Sequence, residues 1–259
     1  MKIQCTVTIL DNKEIAKGVF DMLLLAPDIA YESKAGQFVN IYMNEGQHIL
    51  PRPISICEVD KETGILRIIF QVVGKGTEIL SHLKKGEKIK LLGPLGNGYF
   101  IRQNISQKYV VVGGGIGIPP LLGLTKQLKG NVEVFLGARS NLPILTEEFK
   151  VLGANVHVTT DDGSEGYHGT IVDLLKRLNP KADVIYSCGP KVMLQAVSNW
   201  AKEKGISAQI SMEERMACGI GACVGCVVKI KKKEDLDWNY LKVCKDGPVF
   251  LSDEVVWDD

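Results

Sequence analysis

The chain has 259 residues, 45% of them hydrophobic, and a formal net charge of +1. That length admits two domains or one large one, with the apolar content of an ordinary soluble globular protein. The near-zero charge removes the electrostatic case for nucleic acid or an anionic membrane, and the apolar runs break well short of the roughly 18–20 residues that span a bilayer.

The start, Met1-Lys2-Ile3-Gln4-Cys5, lacks the apolar core of a signal peptide. Residues 1–100 read as β. Ile3, Cys5, Val7 and Ile9 alternate with polar neighbours, as do Val39, Ile41 and Met43. Ile65 to Val73 is a further strand-like run, and Leu91-Leu92 closes a shorter one. Turn clusters such as Glu45-Gly46-Gln47 and Gly74-Lys75-Gly76 separate them. Short strands at this spacing predict a small antiparallel barrel.

Residues 101–210 have a different texture. Tyr109-Val110-Val111-Val112 is an apolar strand ending in Gly113-Gly114-Gly115, with a helix expected from about Pro119 to Lys129. Strands follow at Val132 to Leu136, Val156 to Thr159 and Val184 to Tyr186. Helices are expected at Ile171 to Leu178 and Lys191 to Lys204, the latter with Met193, Ala196, Val197 and Trp200 on one face. Strand–helix alternation predicts a parallel sheet with crossover helices. Residues 211–259 read as irregular. The fold class expected is therefore mixed β and α/β: an antiparallel β-barrel, a Rossmann-like parallel-sheet domain and a small C-terminal domain.

That last segment carries the strongest chemical signal. Cys218, Cys223 and Cys226 stand in a C-x4-C-x2-C run, with Cys244 far downstream. This is the plant-type spacing for a 2Fe–2S cluster held by four thiolates. Structural zinc, the alternative, more often uses two C-x2-C pairs. Gly219, Gly221, Ala222 and Gly225 let a short loop wrap the cluster and point N–H groups at its sulfurs. The three remaining cysteines, Cys5, Cys57 and Cys188, are an odd number, which argues against a disulfide framework and for a reducing cytoplasm.

The loop Gly113-Gly114-Gly115-Ile116-Gly117-Ile118-Pro119-Pro120 follows the first parallel strand and opens a helix whose prolines suit its first turn. Such a corner is an anion site, here for a dinucleotide pyrophosphate, although it departs from the G-x-G-x-x-G fingerprint. Weaker features are a polar turn at Asp161-Asp162-Gly163-Ser164, read as structural, and Lys231-Lys232-Lys233, a solvated loop or part of a docking face. Gly93 to Tyr99 is read as the join between the two large domains. Arg139, at the end of the second parallel strand, could face a 2′-phosphate, so NAD and NADP are not separated. His48, His82, His157 and His168 form no ligand spacing.

Arg52-Pro53-Ile54-Ser55, taken alone, is better explained by a surface ion pair near a turn. Followed by Ile68-Ile69-Phe70-Gln71 and Gly74-Lys75-Gly76-Thr77, it resembles the flavin domain of the ferredoxin–NADP reductase superfamily. The resemblance implies that Arg52 pairs with an FAD pyrophosphate, that Ser55 lies near the flavin's reactive edge, and that Gly76 and Thr77 give donors to phosphate. Pro53, Ile54, Ile69, Phe70 and Gln71 complete the implied FAD site. Ile54 stands where the superfamily usually has an aromatic residue. Cys188-Gly189-Pro190 resembles the corner beside the nicotinamide of NAD, which makes Cys188 a pocket residue rather than a nucleophile. A buried cysteine before a helix is the alternative.

Ser211 to Cys223 and Lys242 to Phe250 are similar to the electron-transfer subunits of NAD-linked, B-type dihydroorotate dehydrogenases. That family resemblance implies FAD bound by residues 1–100, NAD by 101–210 and a 2Fe–2S cluster by 211–259. It also implies an FMN-containing catalytic subunit as partner, in a heterotetramer of two of each, with electrons passing from FMN by way of cluster and FAD to NAD⁺ in pyrimidine synthesis. The same architecture serving sulfite reductase, a hydrogenase, a ferredoxin:NADP transhydrogenase or an oxygenase is the nearest alternative. A zinc-stapled, nucleotide-binding regulatory module is the alternative from another class.

Overall fold

The computed structural model describes residues 2–43, 50–101, 105–141, 143–231 and 237–257. The turn expected at Glu45-Gly46-Gln47, together with His48, Lys232 and Lys233, lies outside them. Six strands close a barrel in the order β1-β2-β5-β4-β3-β6, every pairing antiparallel. They are β1 (Ile3–Ala16), β2 (Val19–Leu25), β3 (Phe38–Tyr42), β4 (Arg52–Asp60), β5 (Ile65–Gln71) and β6 (Lys88–Leu95). The alternation of Val7 and Ile9, Val39 and Ile41, and Leu66 and Ile68 turns one face of each strand inward, where these side chains are buried with Met22, Leu24 and Phe70. A short helix, α1 (Pro27–Glu32), covers one end.

The expected Gly74-Lys75-Gly76 turn is instead the cap and first turn of α2 (Lys75–His82). Thr77 Oγ1 accepts from the amides of Val73 at 3.0 Å and Gly74 at 3.3 Å, and donates to Gly74 O at 2.9 Å. This cap outweighs the low helix propensity of Gly76.

The second layer is a seven-stranded sheet in the order β10-β9-β8-β7-β11-β12-β15, parallel except for β15. Its strands are β7 (Lys108–Gly114), β8 (Asn131–Ala138), β9 (Asn155–Thr160), β10 (Tyr167–His168), β11 (Val184–Cys188), β12 (Ser207–Ser211) and β15 (Val249–Leu251). Helices α3 (Pro119–Thr125), α4 (Thr146–Val151), α5 (Ile171–Leu178) and α6 (Lys191–Lys204) cover it. α5 and α6 fall on the expected spans. α3 stops four residues early: Thr125 Oγ1 bonds back to Leu121 O, and the next amides, Gln127 and Leu128, switch to i→i−3 bonds.

The segment from Ser211 is more regular than its sequence reads. It forms the hairpin of β13 (Val227–Lys231) and β14 (Trp238–Lys242), and then β15, which pairs antiparallel with β12. Phe38 and Leu95 of the barrel, Leu194 of α6, Ile210 of β12, and Val228, Val243 and Phe250 of this segment share one buried cluster. The sheet reverses direction of growth between β7 and β11, and the corners that follow those two strands lie side by side.

Candidate cofactor and cluster site

A cavity of about 660 Å³ opens where the three parts meet. Arg52 and Pro53 from β4 form one wall, Gly189 and Lys191 from the β11–α6 corner another, and Glu213 and Met216, just before the cluster cysteines, a third. Its volume is that of a small-molecule or cofactor site.

Arg52 is half-buried at the start of β4, and its Nη1 donates to Leu50 O at 2.8 Å. A Cβ added to Gly76 would lie 2.1 Å from Arg52 Nε, so the first turn of α2 is stacked on the guanidinium. The free N–H groups of that turn and the planar fork therefore share one place, a geometry that suits a diphosphate. Ser55 and Gln71 are exposed. Ile54 packs against the barrel core and Phe70 lies inside it, stacked on Phe20 with ring centres 5.8 Å apart. These two side chains point away from the cavity face, leaving only their backbones to it. Ile69 is buried against the parallel sheet's side. The Thr77 hydroxyl is committed to its own helix cap, so only its amide remains for a phosphate.

The two nucleotide corners are in direct contact. A Cβ on Gly117 would sit 2.6 Å from the backbone carbonyl of Cys188, and one on Gly114 would sit 2.6 Å from Met193 Sδ. Gly113 faces Ile118 and Leu121, while Gly115, with φ +54°, has open space in front of it. Gly189, with φ +158°, approaches Gly114 N. Pro190 precedes α6 as its cap. Two parallel-strand ends touching where the strand order reverses form the crevice in which open α/β sheets bind ligands. Burial pushes the Cys188 thiol up to about 12, which keeps it protonated near neutral pH. Arg139 is exposed at the tip of β8. At the turn after β9, Ser164 bonds Asp162 Oδ1 through both its amide (3.0 Å) and its hydroxyl (2.6 Å).

The four cysteines approach in pairs. Cys223 N donates to Cys218 Sγ at 3.3 Å, and Cys226 is the side-chain neighbour that raises the Cys244 thiol. Burial opposes ionisation of Cys218, but the N–H groups of Cys223, Ile220 and Ala222 outweigh it and hold the thiol below its usual range. Burial and the neighbouring Cys226 push Cys244 the other way, with the Gly221 N–H partly compensating. Among the described residues, no three Cys, His, Asp or Glu side chains are arranged about a single metal ion. A two-iron cluster asks for two thiolates at each iron, which this pairing provides. Gly219 and Gly221 have φ of +66° and +88°, and side chains there would strike Asn40 and Lys245. The donor set and the close-wrapped loop thus fit a 2Fe–2S cluster.

Sequence reasoning passed over Asn40 and Arg67, and took Tyr99 only as the end of the Gly93–Tyr99 join. Asn40 is fully buried on the outer face of β3, and its Nδ2 donates to Cys218 O at 3.2 Å. A lone amide inside the apolar run Phe38-Val39-Asn40-Ile41 is the signal that marks it. Tyr99 is buried and donates to Ser187 O at 3.0 Å, tying the end of the Gly93–Tyr99 join to β11.

A protein-family model described as the iron–sulfur cluster binding domain of dihydroorotate dehydrogenase B matches residues 213–256. The dihydroorotate dehydrogenase B (NAD(+)) electron transfer subunit of Streptococcus mutans is 42% identical over the whole of both chains. The chain belongs to this family. The Fusobacterium nucleatum subunit of the same name is 43% identical over 98% of this chain and 99% of its own. Among solved structures, an NADH-dependent reduced ferredoxin–NADP oxidoreductase superposes with a TM-score of 0.85 at 32% identity, covering 97% of this chain and 90% of that one. The family's cluster domain replaces the zinc alternative, and the reductase-like fold is the expected one. No helix among the described residues is long and apolar enough to cross a membrane.

Proposed function

We propose that the chain is the electron-carrying subunit of an NAD-linked dihydroorotate dehydrogenase, working in pyrimidine synthesis beside an FMN-containing catalytic subunit. The assembly is read as a heterotetramer of two of each in the cytoplasm. The observation that carries this reading is the cavity in which Arg52, Gly189 and Glu213 to Met216 meet, because it joins a flavin motif, a nicotinamide corner and a cluster arm. Full-length identity of 42% to a subunit of that name supports the partner.

Bound FAD supplies the exchange between two-electron hydride chemistry and one-electron transfer at a 2Fe–2S centre. The chain's own residues hold and orient. Arg52 and the first-turn amides of α2 bind the FAD diphosphate, with Pro53, Ile54, Ser55, Ile69, Phe70 and Gln71 forming the strand walls beside it. Gly113, Gly114, Gly115 and Gly117 keep the β7 corner low enough for NAD, and Cys188, Gly189 and Pro190 set the wall beside its nicotinamide. The high pKa of Cys188 keeps that wall uncharged. Cys218, Cys223, Cys226 and Cys244 are the cluster ligands.

The test is anaerobic purification with whatever copurifies, followed by flavin, iron and sulfide analysis and an assay of dihydroorotate-dependent NAD⁺ reduction. One FAD and one 2Fe–2S cluster per chain, with the activity appearing only when the dihydroorotate-oxidising subunit is added, is the expected result. A colourless zinc protein overturns it. The similarity to the ferredoxin–NADP oxidoreductase gives a second reading, with ferredoxin and NADP as exchange partners. Ferredoxin-dependent NADP⁺ reduction without any response to dihydroorotate selects that one.

A further inference from the structure

The loop between Cys218 and Cys223 is held from outside by its carbonyl groups. Asn40 Nδ2 donates to Cys218 O at 3.2 Å, Lys2 Nζ to Ile220 O at 3.2 Å, and Lys242 Nζ to Gly221 O at 2.7 Å. These donors come from the barrel strand β3, the first residues of the chain and the end of β14. A trans peptide places its N–H opposite its C=O, so a carbonyl pulled outward turns the following amide inward. The match is residue by residue. The peptide whose carbonyl meets Lys2 presents the Gly221 N–H to Cys244, and the one whose carbonyl meets Lys242 presents the Ala222 N–H to Cys218. Asn40 closes the other end, with Gly219 so near that a Cβ there would lie 2.1 Å from Asn40 Nδ2.

Hydrogen bonds to cluster sulfurs and nearby positive charge stabilise the reduced, more negative state and raise a cluster's potential. We propose that Lys242 is a positioning residue that aims the Ala222 N–H at the Cys218 sulfur, with Asn40 bracing the start of the same loop at Cys218 O, and that the two thereby set the reduction potential of the 2Fe–2S cluster. Lys242 acts twice, as the donor at Gly221 O and as a cation beside the loop. This rests on the cluster reading above and adds to it the residues that tune the site.

The experiment compares the wild-type chain with Lys242→Met, Lys242→Arg and Asn40→Leu, each purified anaerobically with FAD and assayed for iron. The midpoint potential comes from a titration followed by electron paramagnetic resonance. Lys242→Met is expected to keep its iron while its reduction equilibrium shifts at least tenfold against reduction, which is 59 mV for a one-electron couple. Lys242→Arg returns most of that shift, and Asn40→Leu moves in the same direction as Lys242→Met. Full iron with an unmoved potential in Lys242→Met overturns the proposal. So does loss of iron in Lys242→Met that Lys242→Arg does not restore. A wild-type chain that binds no iron at all defeats the cluster reading itself, and so the two failures are told apart.

Discussion

Gly76 and Gly117 are each the point at which a backbone leaves room for another group. At Gly76 that group is the Arg52 guanidinium, and at Gly117 it is the Cys188–Gly189 backbone. A methyl at Gly76 displaces a flexible side chain, so Gly76→Ala is expected to fold and to weaken FAD binding. The loss of one charge-assisted hydrogen bond, about 1.5–3 kcal/mol, corresponds to tenfold or more in affinity. Equilibrium dialysis against FAD measures it, and unchanged affinity would remove Arg52 from the diphosphate site. Gly117→Ala meets backbone, which cannot move aside cheaply. It is expected to raise the dissociation constant for NADH at least as much, measured by quenching of flavin fluorescence or by calorimetry. The cysteine spacing and the glycine corners stand out in the sequence because each is a local pattern, whereas the Arg52 tetrapeptide takes on meaning only with the downstream Gln71 and Gly74–Thr77 motifs. Asn40 is marked only as a lone amide in an apolar run, and its role depends on the segment 178 residues away that folds over it, whereas the Thr77 hydroxyl is taken up locally by its own helix cap.

At the scale of elements, the barrel and the parallel sheet are fastened by Arg67. From β5 it makes bonds of 2.7–3.2 Å to Asp21 on β2 and of 2.7 and 2.9 Å to Glu148 on α4. Asp21 is only 6% exposed in its side chain, whereas Glu148 is 44% exposed. Arg67→Ala therefore strands a buried carboxylate and is expected to cost about 3–5 kcal/mol. Glu148→Gln loses a solvent-screened pair and is expected to cost about 1 kcal/mol or less at neutral pH. Chemical denaturation of both variants checks the contrast. The Arg67 hydrogen bond holds the Glu148 carboxyl below its ordinary range. With a folded pKa depressed below the unfolded value, its contribution is complete above about pH 4.3 and is lost as pH falls through the folded value. Wild type should therefore lose its margin over Glu148→Gln below that pH, and a margin unchanged down to pH 3 contradicts the clamp. Strand–helix alternation gave the parallel sheet from sequence because its period changes visibly at each element. The capped α2 and the strands β13 to β15 were hidden, since glycines and lysines there obscure the period that packing restores.

Across the whole molecule, the cluster-bearing segment is built into the same core as the two larger parts. Phe250 packs with Phe38 and Leu95 of the barrel and Ile210 of the sheet, and its ring lies so close to Gly247 that a Cβ there would be 2.3 Å away. Removing so large a buried side chain costs about 3–5 kcal/mol. Phe250→Ala is expected to lower the thermal midpoint and to release FAD and iron in one transition rather than two. Separate transitions, followed by flavin fluorescence and cluster absorbance, would mean that the segment melts on its own. Chain order alone suggested three successive blocks; the shared core arises because β15 returns to pair with β12.

That return has a further effect, on how the molecule meets other chains. The barrel is closed, and the large sheet ends at one side in the two residues of β10 and at the other in the three residues of β15. The outer side of β13 is engaged as well, by Glu254 and Val256 and by the bridge from Ile230 to Val255. Unpaired strand edges are the places where a protein recruits foreign backbone, whether into a complex or into an aggregate. Among the described residues, β14 is thus the longest strand with one side unpaired by another strand, and it lies beside the cluster loop. The open edges of the large sheet, β10 and β15, are only two and three residues long, so association there falls mainly to side chains, which discriminate between partners in a way that a bare row of amides does not.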